Sequence, residues 1–115
     1  MAYSPNLAGA FSPVGNTVTF LANTQAPTPV QAVSTILNSY CQYRIFNSGS
    51  SLIFLGIGAN ALISNTNATV VTTTGNCIPV LPGSLEIISA PSNSFFTAIT
   101  SASTSQIYIT PGLGL

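Results

Sequence analysis

Few side chains in this 115-residue chain could do chemistry: one Arg (Arg44), one Glu (Glu86), two Cys (Cys41 and Cys77) and four Tyr, with no His, Lys, Asp or Trp. General acid–base catalysis uses a His or a tuned pair of carboxylates, and neither can be assembled from this set. Ser hydroxyls are numerous, but no base is present to activate one, which excludes nucleophilic catalysis. A transition-metal site draws on about three or four Cys, His or carboxylate ligands, and the chain holds two Cys and one Glu. Neutralising a phosphate backbone takes several Lys or Arg, so a single Arg argues against nucleic-acid binding. The expectation is a structural or interaction protein and not an enzyme, with no catalytic, cofactor-binding or metal-ligating residue and no cofactor.

The two charges invite a specific expectation. Arg44 and Glu86 each sit within a run of apolar residues, and each has only the other as an oppositely charged side chain. A contact between them, bidentate at best, is expected; the alternative is two separate, solvated charges. Cys41 and Cys77 match no metal or redox spacing, and disulfide-dependent secreted domains are far richer in Cys. Both thiols are therefore expected to be free and mostly buried. Gly56-x-Gly58 lacks the third Gly and the Lys of a phosphate loop. Thr72-Thr73-Thr74 does not repeat as a hydroxyl array would. Asn67-Ala68-Thr69 fits a glycosylation acceptor, which matters only in a secreted chain.

The elements that must carry these residues read as strands. Thr17–Leu21 is β-branched and aromatic, and Val30–Val33 follows Pro27 and Pro29 as a candidate edge strand. In Tyr40–Phe46, Cys41, Tyr43 and Ile45 fall on one face and Gln42, Arg44 and Phe46 on the other. Asn47-Ser48-Gly49-Ser50 is a turn into Ser51–Ile57, and the two runs read as a hairpin. Ala59–Ile63 suits a single helical turn and Thr69–Thr73 a strand, while Ser34–Ser39 is ambiguous. Ile78–Leu81, Ser84–Ser89, Phe95–Thr100 and Gln106–Thr110 are separated by Pro, Gly, Asn and Ser turns, with Pro111-Gly112 ending the last. Short alternating strands at this spacing predict an all-β, antiparallel β-sandwich, jelly-roll-like, of about eight strands. Leu55, Ile57, Leu85, Ile87, Ile99, Ile107 and Ile109 are its expected core. Residues 1–16, rich in Pro and Gly, read as an extended N-terminal arm on a single domain over 17–115. Tyr3, Leu7 and Phe11 are its candidate anchors, docking either on the arm's own domain or on a partner.

Charged residues are 2% of the chain and hydrophobic ones 46%, where roughly 25% charged is ordinary. A net charge near zero favours association. Ser, Thr and Asn replace charge with groups that hydrogen-bond water without repelling a neighbour. A homo-oligomer is expected, trimer before dimer. Leu52–Ile63, the longest apolar run, is interrupted by Gly56, Gly58 and Asn60 and falls short of the about 20 residues of a membrane-spanning helix. The opening residues lack the basic start and continuous apolar run of a secretory signal, so synthesis in a cytoplasm and no membrane partner are expected.

The order of the segments carries a resemblance. Gln42-Tyr43-Arg44-Ile45-Phe46-Asn47-Ser48-Gly49 leads to Phe54-Leu55-Gly56-Ile57-Gly58, and then to Ile78-Pro79-Val80-Leu81-Pro82-Gly83-Ser84-Leu85-Glu86. Phe95-Phe96-Thr97-Ala98-Ile99-Thr100 and Ile107-Tyr108-Ile109-Thr110-Pro111-Gly112 follow. Over about residues 40–112 this resembles small, weakly charged all-β virion structural proteins of tailed bacteriophages. Such proteins usually end in Pro-Gly-acid-Gly, whereas here Pro111-Gly112-Leu113-Gly114-Leu115 is apolar. The resemblance implies a virion component, with a capsid cement or decoration protein on the outer capsid surface favoured and the major capsid protein as partner. A head-fibre base or tail accessory protein is the alternative. A carbohydrate-binding β-sandwich, using Tyr3, Tyr40, Tyr43 and Tyr108 as stacking platforms, is a second.

Overall fold

A computed structural model describes residues 11–114. Among these the chain forms nine strands and one short helix: β1 (Ser12–Pro13), β2 (Val18–Ala22), β3 (Val30–Gln31), β4 (Tyr40–Asn47), β5 (Ile53–Gly58), α1 (Ala61–Asn67), β6 (Ile78–Val80), β7 (Leu85–Pro91), β8 (Phe95–Ile99) and β9 (Ser105–Leu113). They build two antiparallel sheets packed face to face. In the first, β9 lies between β4 and an edge made of β1 and β2 end to end, and β7 closes the far side of β4; the second runs β3-β8-β5-β6. The expected all-β sandwich is the fold.

The pairing is nested. β2 pairs β9, β3 pairs β8, β4 pairs β7 and β5 pairs β6, so the chain from β2 onward is one long two-stranded ribbon turning back between β5 and β6. Pairing of β4 with β9 and of β5 with β8 rolls that ribbon into two sheets. Alternation places the apolar residues inside: Tyr43, Ile45, Ile53, Leu55, Phe96, Ile107 and Ile109 are fully buried.

Several expectations are corrected. β4 and β5 are not a hairpin, because they belong to different sheets and Ser48–Leu52 carries the chain across the sandwich. A turn after an alternating strand serves a sheet-to-sheet corner as well as a hairpin, and local sequence does not distinguish the two. Thr69–Thr73 is not a strand, and the helical turn extends to Ala61–Asn67. That helix is capped by Asn60, whose Oδ1 accepts the Ile63 N–H at 2.9 Å. Strand β9 continues through Pro111 and Gly112 to Leu113, where the arm's β1 pairs with it. Of the expected core, Leu55, Ile107 and Ile109 are fully buried and Ile57 and Ile99 half-buried, but Leu85 and Ile87 are 43% and 38% exposed. Apolar residues occur on both faces of β7, so its pattern does not choose a side. Its pairing with β4 does, placing Ala90 opposite buried Cys41 and Ile88 opposite buried Tyr43.

Two buried side chains on the inner face of β4 hold the crossings between sheets. Asn47 donates from Nδ2 to the Ser51 and Val80 carbonyls at 2.8 and 3.0 Å, and its Oδ1 accepts from the Gly49 N–H and from Ser105 Oγ at 3.2 and 2.8 Å. Gly49 has no alternative there, since a Cβ would overlap Ser105. At the other corner Tyr43 donates to the Pro91 carbonyl at 2.7 Å and accepts the Ser94 N–H at 3.3 Å, with its ring edge-on to Phe96. Burial, reinforced by neighbouring Cys41, pushes the Tyr43 hydroxyl up from its ordinary 10.0 to about 12.

Candidate functional site

The two sheets differ in what lies on their outer faces. On the second, Gly56 and Gly58 leave room for α1 to lie directly on β5; a Cβ at either would overlap the backbone of Ser64. Ser64 Oγ donates to the Gly56 carbonyl and Asn67 Nδ2 to that of Ile57, both at 2.9 Å. Gly56-x-Gly58 is thus the seat of a helix. Thr97, also facing outward, donates to the Pro27 carbonyl at 2.7 Å, so the segment before β3 covers β8.

The outer face of the first sheet has no such cover among the described residues. Cross-strand register aligns its side chains in rows. Leu85, Phe46 and Tyr108 form one row across β7, β4 and β9, continued by Thr19 of β2; Ile87, Arg44 and Thr110 form the next. The Phe46 and Tyr108 rings stack with centroids 6.5 Å apart and planes 25° from parallel. Arg44, Phe46, Leu85, Tyr108 and Thr110 line a shallow open cleft of roughly 320 Å³. Beside it the hydroxyls are hydrogen-bonded: Thr17 and Thr110 Oγ1 lie 2.7 Å apart, and Thr19 Oγ1 accepts from Gln106 Nε2 at 2.6 Å. This surface offers one guanidinium beside a flat aromatic pair. Those groups are of the kind that pair with a carboxylate and pack against apolar or ring-shaped groups.

Arg44 and Glu86 are not brought together. Arg44 lies opposite Ile87 and Glu86 opposite Ile45. Directly opposed residues share a face and successive residues alternate, so the guanidinium leaves the outer face and the carboxylate the inner side, at the exposed rim of β7. The sheet stands between them, and the expected contact gives way to two separate charges. Of the arm's anchors, Tyr3 and Leu7 lie outside the described residues. Phe11 docks on its own domain, its ring in the space that the missing side chain of Gly112 leaves. Both thiols are free; Cys41 is buried and Cys77 half-buried, with its Sγ donating to the Thr69 carbonyl at 3.2 Å.

Sequence reasoning placed Arg44 and Phe46 on one face but missed Leu85, Tyr108 and Thr110 as their neighbours. The only signal was that Tyr108 and Thr110 alternate with Ile107 and Ile109; register across three strands supplied the rest. No family model matches the chain, and neither the curated proteins nor the solved structures contain a match.

Proposed function

We propose that this chain is a bacteriophage virion structural protein, a capsid cement or decoration protein on the outer capsid surface after synthesis in the host cytoplasm. It clamps neighbouring major capsid protein subunits through apolar and hydroxyl-rich contacts, and it works as a homo-oligomer, trimer before dimer. The observation that carries this reading is the asymmetry of the sandwich: one outer face is covered by α1 and the 24–29 segment, whereas the other is open among the described residues, nearly uncharged, and composed largely of aromatic, aliphatic and hydroxyl side chains. A face of that kind binds through area and packing, which salt screens little, whereas surface ion pairs weaken as the Debye length shortens to about 3 Å at 1 M salt. Holding two subunits at once makes the second contact effectively intramolecular, so weak single contacts become a durable clamp. The nested strand pairing supports a jelly-roll-like description of the sandwich.

The test is addition of the purified protein to capsid shells that lack it, followed by imaging. Regularly spaced copies retained at 1 M salt are the expected result. Absence from shells but attachment to tails supports the tail-accessory alternative, and attachment to neither ends the reading. The stacked Phe46–Tyr108 pair beside Arg44 favours one further reading, a carbohydrate-binding β-sandwich. A glycan array probes it directly, and signal lost on Tyr108→Ala is its signature.

A further inference from the structure

The two charges that the fold keeps apart point to a partner. Arg44 stands in the cleft of the open face, ringed by Phe46, Leu85 and Tyr108, with no acidic side chain on that face. Any surface that covers these apolar groups also strips water from the guanidinium, and a desolvated, unpaired cation is strongly unfavourable. The cover must therefore bring an anion. Glu86 is the only acidic side chain in the sequence. It is exposed on the far side of the edge strand β7, and it likewise lacks a cation within its own sheet face.

We infer that a second copy of this chain covers the open face, its Glu86 carboxylate meeting Arg44 in the cleft between Phe46, Tyr108 and Leu85. Charge complementarity singles out this occupant: each copy carries one cation and one anion on opposite sides of the same pair of strands, so each supplies what the next one lacks. The net charge of zero leaves no long-range repulsion between copies. Because the donor and acceptor surfaces lie on opposite sides of the sheet, the contact is head-to-tail; such contacts form a ring where the rotation between copies closes and a filament where it does not, and the homo-oligomer proposed above is the ring. The planar guanidinium and the carboxylate fix the orientation, while the flanking rings and Leu85 supply the apolar area. This inference rests on the oligomer part of the proposed function and gives the open face to the contact between copies, so that any clamp on capsid subunits falls to the surfaces the assembled oligomer leaves exposed.

The experiment is sedimentation velocity and native mass spectrometry on the full chain, comparing wild type with Arg44→Glu, Glu86→Arg and the double exchange. Both positions are exposed, and far-UV circular dichroism checks that each variant is folded. The milder Arg44→Gln and Glu86→Gln serve wherever a reversal fails to fold. Wild type is expected to form a closed oligomer. Each single reversal is expected to weaken it at least about tenfold, equivalent to about 1.4 kcal/mol, and the double exchange to recover it. An equimolar mixture of the two single variants is expected to leave wild-type-like contacts only between unlike copies. A monomeric wild type, single variants that assemble like wild type, or a double exchange that does not recover assembly each overturns the inference. An oligomer that attaches to neither capsid shells nor tails would end the virion reading alone and leave this interface standing.

Discussion

Replacing Asn47 by Leu keeps the number and branching of side-chain heavy atoms while removing four hydrogen bonds at the corner where β4 hands the chain to the opposite sheet. The side chain is fully buried. Two of its partners, the Val80 carbonyl and Ser105 Oγ, meet it in buried surroundings, and the other two, the Ser51 carbonyl and Gly49 N–H, in partly buried ones. A buried group left unsatisfied costs about 1–3 kcal/mol, and a partly exposed one about 0.5–1.5 because water replaces the lost partner. Ser105 Oγ keeps the Ser51 carbonyl at 3.2 Å, so only the Val80 carbonyl bears the full buried cost, and the substitution should destabilise the fold by about 2.5–7.5 kcal/mol, a large share of the roughly 5–15 kcal/mol of a typical domain. Urea unfolding followed by far-UV circular dichroism suits a chain without Trp. With a slope of about 2 kcal/mol per molar, the midpoint should fall by about 1–4 M. Asn67→Leu is the control, because Asn67 makes a single partly buried bond to the Ile57 carbonyl and should cost only about 1 kcal/mol. Ser105→Ala combined with Asn47→Leu should be less damaging than the two single losses added, because they share the Oγ–Oδ1 bond. If Asn47→Leu shifts the midpoint no more than Asn67→Leu does, the corner is held by packing and the hydrogen-bond argument fails.

Further expectations follow from other positions. Tyr43 has its folded-state value raised to about 12 from 10.0, so above pH 10 the unfolded chain releases a proton that the folded chain retains. Stability should be level below pH 10 and fall as pH rises toward 12, with a slope of at most about 1.4 kcal/mol per pH unit; Tyr43→Phe should remove that alkaline slope in pH-dependent melts. Gly56→Ala sets a methyl against the Ser64 carbonyl and the Ala68 backbone. It should cost about 1–3 kcal/mol and raise hydrogen exchange across Ala61–Asn67, and unchanged exchange would show that the helix does not rest on that glycine. Ser64→Ala, losing a buried bond to the Gly56 carbonyl, should cost about 1–3 kcal/mol in the same unfolding assay. Tyr108→Ser should leave the unfolding midpoint nearly unchanged while weakening whatever contact the open face makes, since the ring is 41% exposed.

Much of the architecture was legible along the chain. The alternation in Tyr40–Asn47 separated Cys41, Tyr43 and Ile45 from Gln42, Arg44 and Phe46 before any fold was known, because a strand has a period of two whatever it pairs with. Turn chemistry at Pro82-Gly83, where Gly83 adopts φ 74°, and at Ser92-Asn93, where Asn93 adopts φ 62°, marked the ends of β6, β7 and β8. The near-absence of charge and the lack of His, Lys and Asp were also matters of sequence alone. What local pattern left open was every decision that depends on a distant partner. Leu85 and Ile87 could have been core as easily as Ile88 and Ala90, and a shift of one residue exchanges the two faces completely. Only pairing with β4 settled which side turned inward. That same register sent Arg44 and Glu86 to opposite sides of the sheet, turned Gly56-x-Gly58 into a helix seat, and gathered Phe46, Leu85 and Tyr108 from three strands into one cleft. Period and turn are written in neighbouring residues, whereas register and coverage arise from contacts between segments far apart in sequence.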